Sequence, residues 1–366
     1  MFSYYNRVTT LSVHSTLIVC FCLYTACHSG KGHTEFSLIK EVEHTSVKNQ
    51  GISQNCWIYA TVSFLESECL RHNNLRNEFS VAYILSNSYK LKAIQSIGKK
   101  CVECFVIGGE AHDVINVIRN KGIIPAKYIN EDSLDTNYDE YTYQCLSLFI
   151  KNSTCSTQIN MNQATRGIDS ILEKNIGPLP IRFKYRNNEI NPIAYFGQLG
   201  LNLNDYIELT SYSNYKSYSM VKLDIPDNWS SGYYVNLPYE EFLKSAYKAL
   251  DNGFSFVWDG DVSEEGFSIS QGIAILSEDS QKLIIEHGID SARLITFRNK
   301  TTTDNHLMHI IGYYKDRKGN KYFKAKNSYG TNSGIEGYIF MSEEYFSLKT
   351  ISIMINKKSI PNKIDE

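Results

Sequence analysis

Hydrophobic positions change period along this chain. Between residues 57 and 71, Ile58, Val62, Leu65 and Leu70 fall near one face of a helix, and a polar stretch, Lys48 to Asn55, precedes them. A second helix is predicted over 110–121, where Ala111, Val114, Ile115 and Ile118 are apolar; Gly122 stops it and Pro125 follows. A third is predicted over 239–252, closing at Gly253. In the last third the period shortens. His309 to Tyr314 reads as a strand, Asp316 to Asn320 as a turn, and Tyr322 to Lys326 as a returning strand. Gly337 to Met341 and Thr350 to Ile355 read as two more. Helices first and antiparallel strands later predict an α+β fold. The stretch 128–235 is rich in Asn and Tyr, follows neither period, and is expected to form insertions on the core.

The first residues differ in character. Arg7 precedes the apolar run Leu17 to Tyr24; the small residues Thr25 and Ala26 follow, and then Cys27. The run is too short to span a bilayer as a stable helix, and its order is that of an export signal. Leu23-Tyr24-Thr25-Ala26-Cys27 resembles a bacterial lipobox, in which the Cys becomes the lipidated first residue, although Tyr24 stands where an aliphatic residue is usual. The expected organisation is a leader over 1–27, a tether over 28–40 and one folded domain over 41–366. The expected location is the bacterial periplasm, a membrane surface reached through a lipidated Cys27, or the medium.

Charge excludes one class of partner. The chain has 366 residues, with 37 Lys and Arg against 39 Asp and Glu, a net charge of −2, so no bulk basic field argues for nucleic acid. Cysteine adds little. Of nine, Cys20, Cys22 and Cys27 belong to the leader. Cys101-Val102-Glu103-Cys104 has CxxC spacing, but no second ligand pair stands elsewhere to complete a zinc site. A local disulfide or two buried thiols is the expectation, with no metal and no cofactor.

The chemistry concentrates in three short stretches. In Asn49-Gln50-Gly51-Ile52-Ser53-Gln54-Asn55-Cys56-Trp57, the thiol sits where the polar loop gives way to the apolar helix. A thiol attacks a carbonyl as thiolate, and a helix N-terminus favours an anion, so Cys56 is expected to have a lowered pKa. Gln50, six residues upstream, can fold back as an oxyanion donor beside the Cys56 N–H. A proton partner is offered by His306, just ahead of an apolar strand, and an orienting group by Asn327, just after the next one. If those strands pair as a hairpin, His306 and Asn327 become neighbours.

These words, in the order Gln, Cys, His, Asn, resemble papain-like cysteine peptidases: NQGxxxxCW, then a His six residues before Gly312, then Asn327-Ser328-Tyr329-Gly330 and a following Gly-Tyr strand. The spacing to Gly312 selects His306 over His309 as the base. Phe105-Val106-Ile107-Gly108-Gly109-Glu110 resembles the Gly-Gly segment of that family's substrate cleft, which implies that Gly108 and Gly109 line bound peptide, and Glu78-Phe79-Ser80 resembles its helix-opening motif. The long interval between Cys56 and His306, and the words Trp258-Asp259-Gly260-Asp261 and Asn305-His306-Leu307-Met308, are similar to the bleomycin hydrolase and aminopeptidase C branch. The resemblance implies two lobes, a helical one carrying Cys56 and a sheet-rich one carrying His306 and Asn327, and hydrolysis of peptide or protein substrates. Departures are Tyr329 in place of Trp, Ser53-Gln54-Asn55 in place of Ser-Gly-Arg, and no clear counterpart, by Lys363 to Glu366, of the arm that restricts that branch to chain ends. Internal against terminal cleavage, and assembly, stay open. The competing readings are a papain-fold module that binds peptide or protein without turnover, and a transglutaminase-like acyltransferase, against which Asn327 in place of Asp speaks.

Overall fold

Residues 35–129, 137–155 and 160–359 are described by the computed structural model. The leader over 1–27, Cys27 with it, lies outside these residues. The expected tether over 28–40 runs too far. Ser37–Glu41 is a strand, β1, paired antiparallel to the sheet. Its pattern hid it: Leu38 and Ile39 are 60% and 41% exposed, so no alternation marks a buried face. Backbone pairing holds it instead, with Phe36 stacked on Phe340 at 4.1 Å and Lys324 donating to the Glu41 carboxylate at 3.0 Å.

Helix α1 (Cys56–Asn73) starts at the thiol. It ends at Asn74, whose left-handed conformation (φ 54°) lets its N–H reach the Leu70 carbonyl at 2.9 Å and the Leu75 N–H the Cys69 carbonyl at 3.4 Å. Helix α2 (Val81–Lys99) opens on Ser80, whose hydroxyl accepts the Tyr83 N–H at 3.1 Å. Helix α3 (Ala111–Lys121) runs to Gly122 as the pattern predicts. Then come α4 (Tyr138–Thr154) and α5 (Met161–Ile176), packed on each other and on α2. A hairpin of β2 (Phe183–Tyr185) and β3 (Asn188–Ile190) and the short α6 (Pro192–Gly197) complete this half. Trp57, Phe64, Ile84, Tyr89, Val114 and Ile118 are fully or almost fully buried at its centre.

The sheet half holds β4 (Tyr206–Thr210), β5 (Ser219–Val221), β6 (Tyr234–Asn236), α7 (Tyr239–Asp251), β7 (Phe256–Gly260), β8 (Phe267–Ser268) and β9 (Ile273–Ala274). It continues with α8 (Glu278–His287), α9 (Ile289–Arg298), β10 (His306–Lys315), β11 (Lys321–Lys326), β12 (Tyr338–Ser342), α10 (Glu343–Lys349) and β13 (Thr350–Asn356). Strand order is β5-β6-β4-β13-β7-β10-β11-β12-β9-β8, with β1 on β10. The fold is α+β, and Phe256, Trp258, Ile310, Phe323, Phe346 and Ile353 form its second core. The expectation that 128–235 only decorates the core is corrected: α4 and α5 do pack outside α2, but β4 and β6 extend the main sheet. Strand β4 was illegible because it buries a charge, Glu208, where an apolar residue would have shown the alternation.

Two contacts position the site. Helix α1 packs against β10, and Leu307 of β10 is buried in the helical core. The seam between the halves therefore runs from the first turn of α1 to the first residues of β10.

Candidate active site

Strand β10 begins at His306, earlier than the expected start at 309. It pairs with β7 so that His306 faces Gly260 and Leu307 faces Asp259, and with β11 in a hairpin that brings Asn327 beside His306. His306 Nε2 and Asn327 Oδ1 are 2.9 Å apart, both residues buried. The same Oδ1 accepts the Ser328 N–H at 2.8 Å. An oxygen fixed as acceptor requires the proton on Nε2, which leaves Nδ1 as the ring's basic atom. Tyr329 stacks on the imidazole at 5.4 Å with planes 20° apart. It covers the face that Trp covers in the resembling family.

Cys56 keeps part of its surface open. The Leu307 N–H bonds its sulfur, which joins the thiol to the residue after His306. The expected lowering of the thiol pKa is corrected. Burial pushes Cys56 up to about 12, and the Asp227 and Asp259 carboxylates add to it; the N–H groups of Leu307 and Trp57 act the other way without prevailing. Burial lowers His306, against the pull of Asn327. Both shifts favour the uncharged forms of thiol and imidazole. The helix N-terminus is real, but desolvation outweighs it.

Gln50 is held on the opposite side of the same knot. Its Oε1 accepts the Ser328 hydroxyl at 2.5 Å and its Nε2 donates to Ser53 O at 2.5 Å, leaving the second amide hydrogen for another acceptor. The backbone follows: Gln50 N donates to Ser328 O at 2.7 Å and Gly330 N to Lys48 O at 3.1 Å. Ser328 therefore couples Gln50 to Asn327, a role the sequence reading did not assign although the residue stands inside the quoted motif.

Gly108 and Gly109 lie beside the thiol's helix and are both buried. A Cβ at 109 would sit 3.0 Å from the Trp57 ring, and one at 108 would strike the Asp227 carboxylate. Lys92, fully buried, donates to the carbonyls of Val106 at 3.2 Å, Ile107 at 3.4 Å and Gly108. Burial lowers it to about 8. Neither Lys92 nor Asp227 was found from sequence. Lys92 sits on a helix buried almost all round, and Asp227 in the Asn-rich stretch without a period.

The remaining singled-out residues are structural. Trp258 is buried and donates to Thr350 Oγ1 at 2.8 Å. Asp261 collects the N–H groups of Ser263 and Thr303 at 2.9 Å each and the Asn305 amide at 3.2 Å, and so fastens the loop that leads into His306. His309 is buried with Nδ1 2.8 Å from Ser63 Oγ. His112 pairs with Glu208 at 2.5 Å. Cys101 and Cys104 form a disulfide, one of the two outcomes expected of the CxxC. Among the described residues no three His, Cys, Asp or Glu side chains are arranged to hold a metal ion.

Comparison with known proteins gives the family and the fold. The model of the Peptidase C1-like family matches residues 182–366, half of the chain. Aminopeptidase W of Lactobacillus delbrueckii subsp. lactis is 22% identical, over 93% of this chain and 87% of its own. Bleomycin hydrolase of Rattus norvegicus is 21% identical, over 94% and 87%. The crystal structure of PepW from Lactobacillus rhamnosis superposes with a TM-score of 0.72 at 19% identity, covering 90% of this chain and 83% of that one. The chain belongs to the Peptidase C1-like family and is a papain-fold cysteine peptidase.

Proposed function

We propose that Cys56 is the nucleophile, His306 the general base and acid, Asn327 the group that orients the imidazole, and Gln50 with the Cys56 N–H the oxyanion hole. The observation that carries this is the bond from His306 Nε2 to Asn327 Oδ1 at 2.9 Å, on a strand whose next residue holds the Cys56 sulfur. When a peptide carbonyl arrives, the Cys56 S–H proton passes to His306 Nδ1 and the sulfur bonds the carbonyl carbon. The C=O electron pair moves to oxygen, where the free Gln50 amide hydrogen and the Cys56 N–H meet it. The imidazolium gives its proton to the leaving amine as the C–N bond breaks. Water, deprotonated by the same Nδ1, then releases the acyl group from sulfur. Proton transfer within a neutral pair fits the raised thiol and lowered imidazole.

The proposed substrates are peptides with a free N-terminus, as the names of the relatives suggest, with Gly108 and Gly109 beside the bound chain. Cys56→Ala or His306→Ala abolishes peptide hydrolysis, and Cys56→Ala also abolishes labelling by a thiol-directed epoxide; full activity in either variant sinks the assignment. The export signal and a lipidated Cys27 belong to the same proposal. The mass of the protein recovered from membranes decides it: a chain that begins at Cys27 and carries acyl groups is expected, and one that retains residues 1–26 overturns it.

A further inference from the structure

Beside the thiol, buried carboxyls outnumber the cations that face them. Glu110 follows Gly109 and caps α3, its N–H donating to Asp113 Oδ2 at 2.9 Å, and no side chain donates to either of its two buried oxygens. Asp259 stands opposite Leu307 across β7 and β10; its Oδ1 also has no partner, and its Oδ2 has only a long contact, 3.4 Å, from Ser352 Oγ. Asp304 lies two residues before His306, and its Oδ2 accepts the Asp227 N–H at 2.9 Å. Asp227 is partly exposed and forms the rim. The Tyr234 hydroxyl, on a fully buried residue, likewise has no partner, and Glu110 is the charge that acts on it most. Nearby cations are engaged elsewhere: Lys92 holds the carbonyls of 106–108 and His112 holds Glu208. Burial and the neighbouring carboxylates keep Glu110 and Asp259 well above the usual carboxylate range. A cation placed among them would let the carboxyls ionise.

We propose that Glu110, Asp259, Asp304 and Asp227, with the Tyr234 hydroxyl, form a pocket for an ammonium group next to the Cys56–His306 pair, and that the group it takes is the α-ammonium of the substrate's first residue. Unpartnered buried oxygens want a donor, and a primary ammonium brings three with a compensating charge. The pocket lies within reach of the thiol's own field, since Asp259 and Asp227 both act on Cys56. A terminal amine held there places the first peptide carbonyl at the sulfur. The choice of the terminal amine over a lysine side chain rests on the aminopeptidase reading above.

The test compares wild type with Glu110→Gln and Asp259→Asn on three fluorogenic amides: alanyl with a free amine, N-acetyl-alanyl, and N-acetyl-lysyl-alanyl. Wild type is expected to favour the free amine over the acetylated alanyl amide by about a hundredfold or more in kcat/KM, and each variant to shrink that ratio at least about tenfold, mainly through KM. Cys56 alkylation by iodoacetamide at the wild-type rate, together with a cooperative urea transition, reports that each variant retains its folded site. If wild type favours the lysyl substrate and the variants erase that preference, the ammonium pocket stands and the terminal-cleavage reading falls. If all three substrates respond alike in variants that still alkylate, or the ratios do not move, the pocket is overturned.

Discussion

His306 is held by an oxygen that is itself held, and the effect of removing either partner follows from that. Asn327→Ala leaves Nε2 without its acceptor and lets the imidazole choose its tautomer and turn. The expected result is a fall in kcat of about tenfold to a hundredfold with little change in KM, read by steady-state kinetics on one peptide amide. Gln50→Ala removes the proposed oxyanion donor, and kcat is expected to fall by about a hundredfold while the alkylation rate of Cys56 stays near that of the wild type. An unchanged kcat in Gln50→Ala refutes the donor role. Ser328→Ala breaks the hydroxyl bond to Gln50 but leaves the backbone link between the two segments. Its expected loss is therefore smaller than that of Gln50→Ala.

At the level of elements, the loop before β10 decides how well the imidazole is aimed. Asp261 gathers Ser263, Thr303 and Asn305 into one carboxylate, and it is buried. Asp261→Ala strands those donors, with an expected cost of about 1–3 kcal/mol in urea unfolding and a lower kcat at similar KM. Native stability together with native kcat would contradict this. Elements with a clean period were legible: α1, α3, α7 and the four C-terminal strands appear close to where their apolar positions put them. Those without one were not. Strand β1 exposes its apolar residues, and β4 buries Glu208 against His112. The words around Cys56, His306 and Asn327 could be read because each residue sits at the end of a regular element. The Asp227 rim and the Lys92 support could not, because a buried charge on a helix or in an aperiodic loop leaves no local pattern.

Across the whole molecule, two buried histidines and one half-buried one pull stability in opposite directions with pH. Burial holds His306 and His309 below their ordinary value of 6.5, so below that pH the unfolded chain takes protons that the folded one refuses, and stability falls. His112 works the other way. Glu208 and Asp113 raise it to about 9, so its contribution is complete below 6.5 and is lost as pH rises through 9. The three histidines alone set a maximum of the urea midpoint near pH 6.5, and Lys92, held down to about 8 by burial, adds stability above that value and opposes the decline that His112 causes. His112→Gln should shift the alkaline slope toward rising stability, and an unaltered slope in that variant rules the histidine out as a contributor. The chain's order has a further consequence. Cys56 lies on α1, whereas His306 and Asn327 lie on and just after the hairpin β10–β11. During synthesis the sulfur emerges long before the proposed base. Under the proposed roles, a nascent chain that has reached only α9 is therefore chemically silent toward its own unfolded segments, and the power to cut arrives with the hairpin β10–β11.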